Sequence, residues 1–204
     1  ATDETGSAIK VSLFSYPHAP ISSLLTVMAD SSKKIACYIP ATSILPKVAE
    51  FFGKACINAG DRLPRGNLTV DVLPFLSQPD YDKLLASCDM NFVRGEDSWI
   101  RAIWAGKPFI WQPYLQTEDT HLIKLQAFLD LYYAGCDEAA NQAAAAMHLA
   151  WTSQQLSAPD WQDYLDNIGT LGAFMSQQTN TLAAQTDLAT NLVIYIEKLR
   201  DNHI

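Results

Sequence analysis

The pattern of apolar and polar positions in the first half of the chain predicts strands and helices that alternate. Short apolar runs indicate strands at residues 9–16, 35–39, 68–73, 89–93 and 108–112. Apolar residues at helical spacing indicate helices at 20–29, 42–52, 81–87 and 97–105, with Thr42 as a cap and Gly106 as a left-handed terminus. This alternation predicts right-handed crossovers and a parallel sheet with helices on both faces.

Beyond Thr117 the pattern becomes helical, with helices expected at about 118–134, 138–152, 160–178 and 182–200. The last of these carries an apolar stripe that we expect to pack on something: Leu188, Leu192, Tyr195, Ile196 and Leu199. The predicted fold is therefore α/β: a single Rossmann-like lobe with a parallel sheet of five to six strands and a C-terminal helical tail. Residues 1–8 are expected to be an interdomain linker or the end of a truncated chain, and residues 9–204 the domain.

Composition narrows the function classes. The 204 residues are 49% hydrophobic, which allows a substantial core, and no apolar run approaches the roughly 20 residues that span a bilayer. A net charge of −8 argues against a nucleic-acid surface. The cysteines and histidines are scattered, which predicts buried reduced thiols and no metal site. The expected address is the cytoplasm, without a membrane partner.

The turn Arg94-Gly95-Glu96-Asp97-Ser98 is the main candidate site, because it follows a buried strand and begins a helix. An arginine beside free helix N–H groups can hold a diphosphate without a metal. Asp97 can cap the helix, and Glu96 can face a sugar hydroxyl or a cationic acceptor. The alternative for Arg94 is a surface ion pair with Glu96 or Asp119, worth under about 1 kcal/mol.

Aromatic and amide side chains follow the other predicted strands. They are Phe14 and Tyr16 after the first strand, Phe75, Gln78 and Tyr81 after the third, and Tyr114 after the fifth. The carboxyl ends of parallel strands meet at one edge of a sheet, so these groups are expected to converge with Arg94. Their rings suit a nucleobase or an apolar sugar face, although core packing explains any one ring alone.

Two motifs make the pattern specific: F-V-R-G-E-D-S at residues 92–98, and R-A-x-W-A-G-K-P-F-x-W-Q-P-Y at 101–114. With H-L-x-K-L at 121–125, they resemble the EarP family, the bacterial protein-arginine rhamnosyltransferases of elongation factor P. The resemblance implies a GT-B architecture of two Rossmann-like lobes and dTDP-β-L-rhamnose as the donor. This chain resembles the C-terminal, donor-binding lobe, with the N-terminal acceptor lobe absent.

The resemblance also implies roles for individual residues. Donor-binding positions would be Phe14, Tyr16, Phe75, Gln78, Tyr81, Arg94, Gly95, Asp97, Ser98 and Tyr114, and Glu96 would be the catalytic carboxylate. The implied reaction is a single inverting displacement that transfers L-rhamnose to an arginine side chain, with no cofactor or metal. One lobe by itself is expected to be inactive.

Two other interpretations remain open. The chain can be a non-catalytic Rossmann-like module that binds a partner protein through its helical tail. It can also be a GT-B donor lobe that uses another nucleotide sugar, such as a UDP-sugar.

Overall fold

The computed structural model describes residues 8–201 of the chain. The strands are β1 Ile9–Leu13, β2 Ile35–Pro40, β3 Arg62–Arg65, β4 Leu68–Leu73, β5 Met90–Arg94 and β6 Phe109–Gln112. The helices are α1 Ile21–Ala29, α2 Leu45–Phe51, α3 Gln78–Ser87, α4 Gly95–Ala105, α5 Thr120–Tyr132, α6 Glu138–Thr152, α7 Ala158–Asp166, α8 Ile168–Ala183 and α9 Leu188–Asp201. The predicted linker lies, apart from Ala8, outside the described residues.

The strands form one sheet in the order β3-β4-β2-β1-β5-β6, and every pairing except β3–β4 is parallel. From β1 the chain first moves outward through β2 to β4, and then returns through α3 to β5 on the other side of β1. Right-handed crossovers in these two directions place α1 and α2 on one face and α3 and α4 on the other. The predicted Rossmann-like lobe is confirmed, and β1 and β5 flank its topological switch point.

Strand β3 corrects the prediction of an all-parallel sheet. No strand was predicted in the glycine- and proline-rich segment before β4, but residues 62–65 pair antiparallel with β4. Pro64 is tolerated because β3 is an edge strand. At the connecting turn Gly66 has φ +57°, and a Cβ there would lie 2.3 Å from the carbonyl oxygen of Ala29.

A buried polar link fixes the switch point. The Ser12 hydroxyl in β1 donates to Oδ1 of Asn91 in β5 at 2.6 Å, and Asn91 Nδ2 donates to the Leu85 carbonyl at the end of α3. Both side chains are fully buried. Because buried polar groups are costly when unpaired, this link holds β1, β5 and α3 in one register.

The helical half agrees with the sequence in α6 and differs further along. The single helix expected at 160–178 is two helices, α7 and α8, which meet at Asn167. The Asn167 side chain donates to the Asp163 carbonyl at 2.9 Å, so it competes with the helical backbone and ends α7. The last helix begins at Leu188 rather than 182.

The apolar stripe of α9 is exposed. Its large apolar side chains are between 40% and 84% accessible: Leu188, Leu192, Val193, Ile194, Tyr195, Ile196 and Leu199. The expectation that this helix packs on something is therefore not met within residues 8–201. No helix in that range is long and apolar enough to cross a membrane.

Candidate functional site

A cavity of about 460 Å³ opens at the carboxyl edge of the sheet, where the sequence predicted the turns to converge. The turns after β1, β2, β4 and β5 contribute to it, together with the first turns of α3 and α4. Its lining is Phe14, Pro40, Thr42, Phe75, Leu76, Gln78, Tyr81, Arg94, Gly95, Glu96, Asp97, Ser98 and Arg101. Nine of the eleven predicted site residues are in this lining.

Arg94 lies at the end of β5 between two aromatic rings. Its Cζ is 4.4 Å from the ring centroid of Phe14 and 4.6 Å from that of Tyr16. The predicted alternative, an ion pair with Glu96 or Asp119, is not formed, and no carboxylate among residues 8–201 pairs with this guanidinium. The rings hold a cation by its face and leave its N–H edges free for an anion.

Gly95 makes the sharp turn from β5 into α4. Its φ is +63°, and a Cβ at this position would lie 3.0 Å from the Tyr16 hydroxyl. The indole Nε1 of Trp111 in β6 donates to the Gly95 carbonyl at 2.8 Å. The turn is thus fixed from both sides, and α4 begins two residues earlier than predicted, so its free N–H groups are next to Arg94.

Glu96 lies in the first turn of α4 and pairs with a lysine that the sequence analysis did not assign. Lys124 Nζ in α5 is 2.7 Å from Glu96 Oε1. This hydrogen bond is the main reason that the pKa of Glu96 is lowered from its ordinary value. The carboxylate is therefore ionised at neutral pH and is 58% exposed at the cavity.

Asp97 and Ser98 are engaged within the protein. Asp97 was expected to cap α4, but it accepts from Arg101 Nε at 2.8 Å, and Arg101 also reaches Asp82 of α3 at 2.9 Å. The Ser98 hydroxyl donates to the Arg94 carbonyl. Arg101 offsets the charge of Asp97 and connects the two helices whose N-termini border the cavity.

Tyr81 and Phe14 form the inner wall. Their rings meet edge to face with centroids 5.4 Å apart. Burial is the main reason that the pKa of Tyr81 is raised, with Ser98 and Arg94 acting in the opposite direction. The phenol stays neutral, and its buried oxygen has no well-aligned hydrogen-bond partner among residues 8–201, although Ser98 lies alongside.

Phe75 and Gln78 form the outer rim. Phe75 is 81% exposed, which is unusual for a large aromatic side chain, and Gln78 is exposed in the first turn of α3. Helix α3 begins at Gln78 instead of Tyr81 because the side chain of Ser77 caps it, accepting from the Asp80 N–H. An exposed ring at a cavity mouth is available to a planar or apolar ligand group.

Tyr16 and Tyr114 lie beside the cavity and are not part of its lining. Tyr16 stacks on His18 with centroids 5.3 Å apart and meets Tyr114 edge to face at 5.9 Å. Its backbone N–H donates to Gln112 Oε1 at the end of β6. Tyr16 packs against Arg94, and Tyr114 packs against Tyr16. The structure therefore brings both rings to the site but not into the lining of the cavity.

Four lining residues were missed by the sequence analysis: Pro40, Thr42, Leu76 and Arg101. Pro40 and Thr42 follow β2, whose turn was not considered. Thr42 was expected to cap α2, but Ile44 holds that position and the Thr42 hydroxyl makes no cap hydrogen bond. The missed signal was the position of this turn at the carboxyl end of a parallel strand.

The cysteines and acidic residues between 8 and 201 form no second candidate site. Cys37 and Cys88 are buried as expected, whereas Cys56 is exposed, contrary to the prediction. Within the described part of the chain, His, Cys, Asp and Glu side chains nowhere gather in threes around a possible metal position.

The fold and the cavity define the class of protein: a Rossmann-like lobe of the kind that makes up one half of a GT-B glycosyltransferase. The comparison with protein families is more specific. The model described as "Elongation-Factor P (EF-P) rhamnosyltransferase EarP" matches residues 1–197. The chain belongs to the EarP family.

Curated relatives agree with this assignment. The chain is 37% identical over 191 residues to a protein-arginine rhamnosyltransferase of Pseudomonas putida. This alignment covers 94% of the chain and 51% of the relative. It is 40% identical over 162 residues to the protein of that name in Pseudomonas aeruginosa, covering 74% of the chain and 43% of the relative. The chain spans about half the length of the curated relatives it matches.

A solved structure is similar over almost the whole chain. It is described as the structural basis for EarP-mediated arginine glycosylation of translation elongation factor EF-P. The TM-score is 0.84 at 34% identity, with 96% of this chain and 62% of that one covered.

Proposed function

We propose that this chain is the donor-binding lobe of an inverting glycosyltransferase that transfers L-rhamnose from dTDP-β-L-rhamnose to an arginine of elongation factor P. The observation that carries the proposal is the unpaired guanidinium of Arg94, held between the rings of Phe14 and Tyr16 at the start of α4. A guanidinium with free N–H groups beside a helix N-terminus suits a diphosphate. The positive charge comes from the protein, so the proposal keeps the expectation that no metal is needed.

The base and sugar have matching surfaces in the cavity. Phe14, Phe75 and Tyr81 offer rings at its wall and mouth, and Gln78 offers an amide at the rim. Thymine and a 6-deoxysugar both have an apolar face that gains from contact with such rings. Asp97 and Ser98 are retained as donor-binding candidates, although each already has a partner within the protein.

Glu96 is the candidate for the catalytic carboxylate. A guanidinium has a pKa above about 12 and no free lone pair, so it attacks only when a carboxylate orients it and takes a proton. The guanidino nitrogen would bond to the anomeric carbon while the C–O bond to the diphosphate breaks. dTDP then leaves with the electron pair, and Arg94 and α4 stabilise its charge.

The activity proposed is that of a longer protein. The chain covers 51% of the P. putida relative, and its cavity and α9 are both open to solvent. We propose that the arginine acceptor and an acceptor lobe lie on the open side of the cavity, where Glu96 is exposed. This chain alone is expected to bind the donor and to transfer little or no rhamnose.

Calorimetric titration of the chain with dTDP tests the proposal. Saturable binding is expected, with Arg94→Ala weakening it by at least about tenfold, as for the loss of a charge-assisted hydrogen bond. Arg62→Ala is the matched control, because Arg62 pairs with Asp71 away from the cavity. A folded chain with no affinity for dTDP, or an Arg94→Ala variant that binds as well as the original, would contradict the proposal.

Two variations of this titration separate the alternatives. UDP in place of dTDP changes the 5-methyl and 2′-hydroxyl groups, and tighter binding of UDP would favour the UDP-sugar donor lobe. If the chain binds neither nucleotide but specifically captures a partner protein, the result would favour the interaction module. The exposed stripe of α9 is the observation that supports this second function.

A further inference from the structure

Lys124 forms a hydrogen bond with the carboxylate of Glu96, the residue to which the proposed function gives a catalytic role. Its Nζ lies 2.7 Å from Glu96 Oε1, and the two residues come from α5 and the first turn of α4, 28 positions apart. Lys124 is not part of the cavity lining, whereas Glu96 is. Lys124 is thus connected to the cavity through the side chain of Glu96.

The indole of Trp111 connects both ends of this contact. Lys124 Nζ lies 5.8 Å from the Trp111 ring centroid, and Trp111 Nε1 donates to the carbonyl of Gly95, the residue before Glu96. Trp111 itself is fully buried and stacks on Trp99 with centroids 4.4 Å apart. One rigid ring therefore sets the backbone that carries Glu96 and lies under the ammonium group that pairs with it.

Stability does not account for the pair. The side chains are 42% and 58% exposed, and ion pairs with this exposure contribute little to folding. We infer that the pair serves to orient the Glu96 carboxylate. The side chain of Glu96 has several rotatable bonds, whereas the turn that carries it is fixed. Restricting a reacting group to one geometry is worth more to catalysis than to folding.

We propose that Lys124 is a positioning residue, which holds the Glu96 carboxylate at the cavity mouth for the arginine acceptor. This inference rests on the proposed function for its role in turnover. The Lys124–Glu96 coupling itself can be tested without it.

The electrostatics around Glu96 agree with this role. Lys124 lowers the pKa of Glu96, and the other charged groups of the cavity lining are Arg94, Asp97 and Arg101. Asp97 is paired with Arg101, so it adds little net charge. A carboxylate kept ionised can accept a hydrogen bond from an incoming guanidinium.

The first test is NMR titration of the Glu96 side-chain carboxyl in the chain, assigned with Glu96→Gln. In Lys124→Gln the titration midpoint should move to higher pH, and Lys124→Arg should restore it. Lys83→Gln is the control, because Lys83 pairs with Asp80 outside the cavity. Unchanged midpoints in Lys124→Gln would overturn the inference, whether or not the chain binds dTDP.

The second test measures turnover in the protein that contains both lobes. Lys124→Gln should lower kcat about tenfold through lost orientation, while affinity for the donor stays within about twofold. The acid limb of the kcat profile should move to higher pH, and Lys124→Arg should recover both. Unaltered kcat and pH profile would refute the role in turnover. Absent dTDP binding in the unsubstituted protein would instead refute the proposed function.

Discussion

At the scale of single residues, the site depends on two positions that the backbone makes unusual. Arg94 presents an unpaired guanidinium between rings, and Gly95 adopts φ +63° directly after it. L-residues pay roughly 1–2 kcal/mol for this left-handed conformation. The turn therefore requires glycine for its geometry, and Tyr16 leaves little space for a side chain there.

Gly95→Ala should cost more than the conformational penalty alone. Its Cβ would lie 3.0 Å from the Tyr16 hydroxyl, so Tyr16 must move, and with it one of the rings that hold Arg94. Gly53→Ala is the matched control, since Gly53 has the same φ of +63° and nothing within 4 Å. Gly53→Ala should lose about 1–2 kcal/mol in urea unfolding. Gly95→Ala should lose more than Gly53→Ala, and it should also lose dTDP affinity. Equal dTDP affinities in the two variants would contradict this account.

His148 predicts acid sensitivity. It is fully buried, with Nδ1 bonded to the Ala144 carbonyl, and burial lowers its pKa to about 4. The unfolded chain takes up the proton first, near pH 6.5, so stability is lost as the pH falls from about 6.5 towards 4. The loss approaches about 3 kcal/mol.

Urea unfolding at pH 7, 5.5 and 4.5 measures this effect. His148→Gln removes the titrating group, so its stability should fall less over this range, whatever its stability at pH 7. Parallel losses in the two proteins would assign the acid sensitivity to carboxylates instead.

Sequence patterns found most of the residues that line the cavity at strand ends, and missed the contacts between distant elements. The turns after β1, β4 and β5 were predicted because parallel strands bring their carboxyl ends together. The Lys124–Glu96 pair was missed because 28 residues separate its partners, and no periodicity encodes how α5 packs on α4. Arg101 was missed as a lining residue for the same reason, since its partner Asp82 is on another helix.

At the scale of elements, the long apolar runs were predicted well and the short segments were not. Strand β3 has one buried apolar residue, Leu63, in four, so only its partner β4 makes it a strand. The break between α7 and α8 depends on one asparagine side chain. The exposure of α9 was not predictable, because an apolar stripe indicates that a helix can pack but not what it packs on.

The exposed stripe of α9 leads to a prediction about stability. Leu192→Gln with Ile196→Gln should change the free energy of unfolding of this chain by less than about 0.5 kcal/mol, since both side chains are 55% exposed. Leu171→Ala is the buried counterpart in α8 and should cost about 2–5 kcal/mol. Urea unfolding of the three proteins is the comparison, and a large loss in the α9 variant would mean that this stripe is packed in solution.

At the scale of the whole molecule, the cavity and the last helix are both open to solvent. The cavity is open at the carboxyl edge of the sheet, Glu96 is exposed at its mouth, and the apolar side chains of α9 face solvent. Membership of the EarP family and a length of about half that of its matched relatives fit one account. In the proposed function, this chain supplies the donor site and Glu96, and the remainder of a longer enzyme supplies the acceptor side.

A crystal structure of the chain with dTDP is the most direct test of that account. We expect the diphosphate on Arg94 and the first turn of α4, and the thymine among the rings of Phe14, Phe75 and Tyr81. Density for dTDP at another place on the lobe, with this cavity empty at saturating nucleotide, would contradict the central claim.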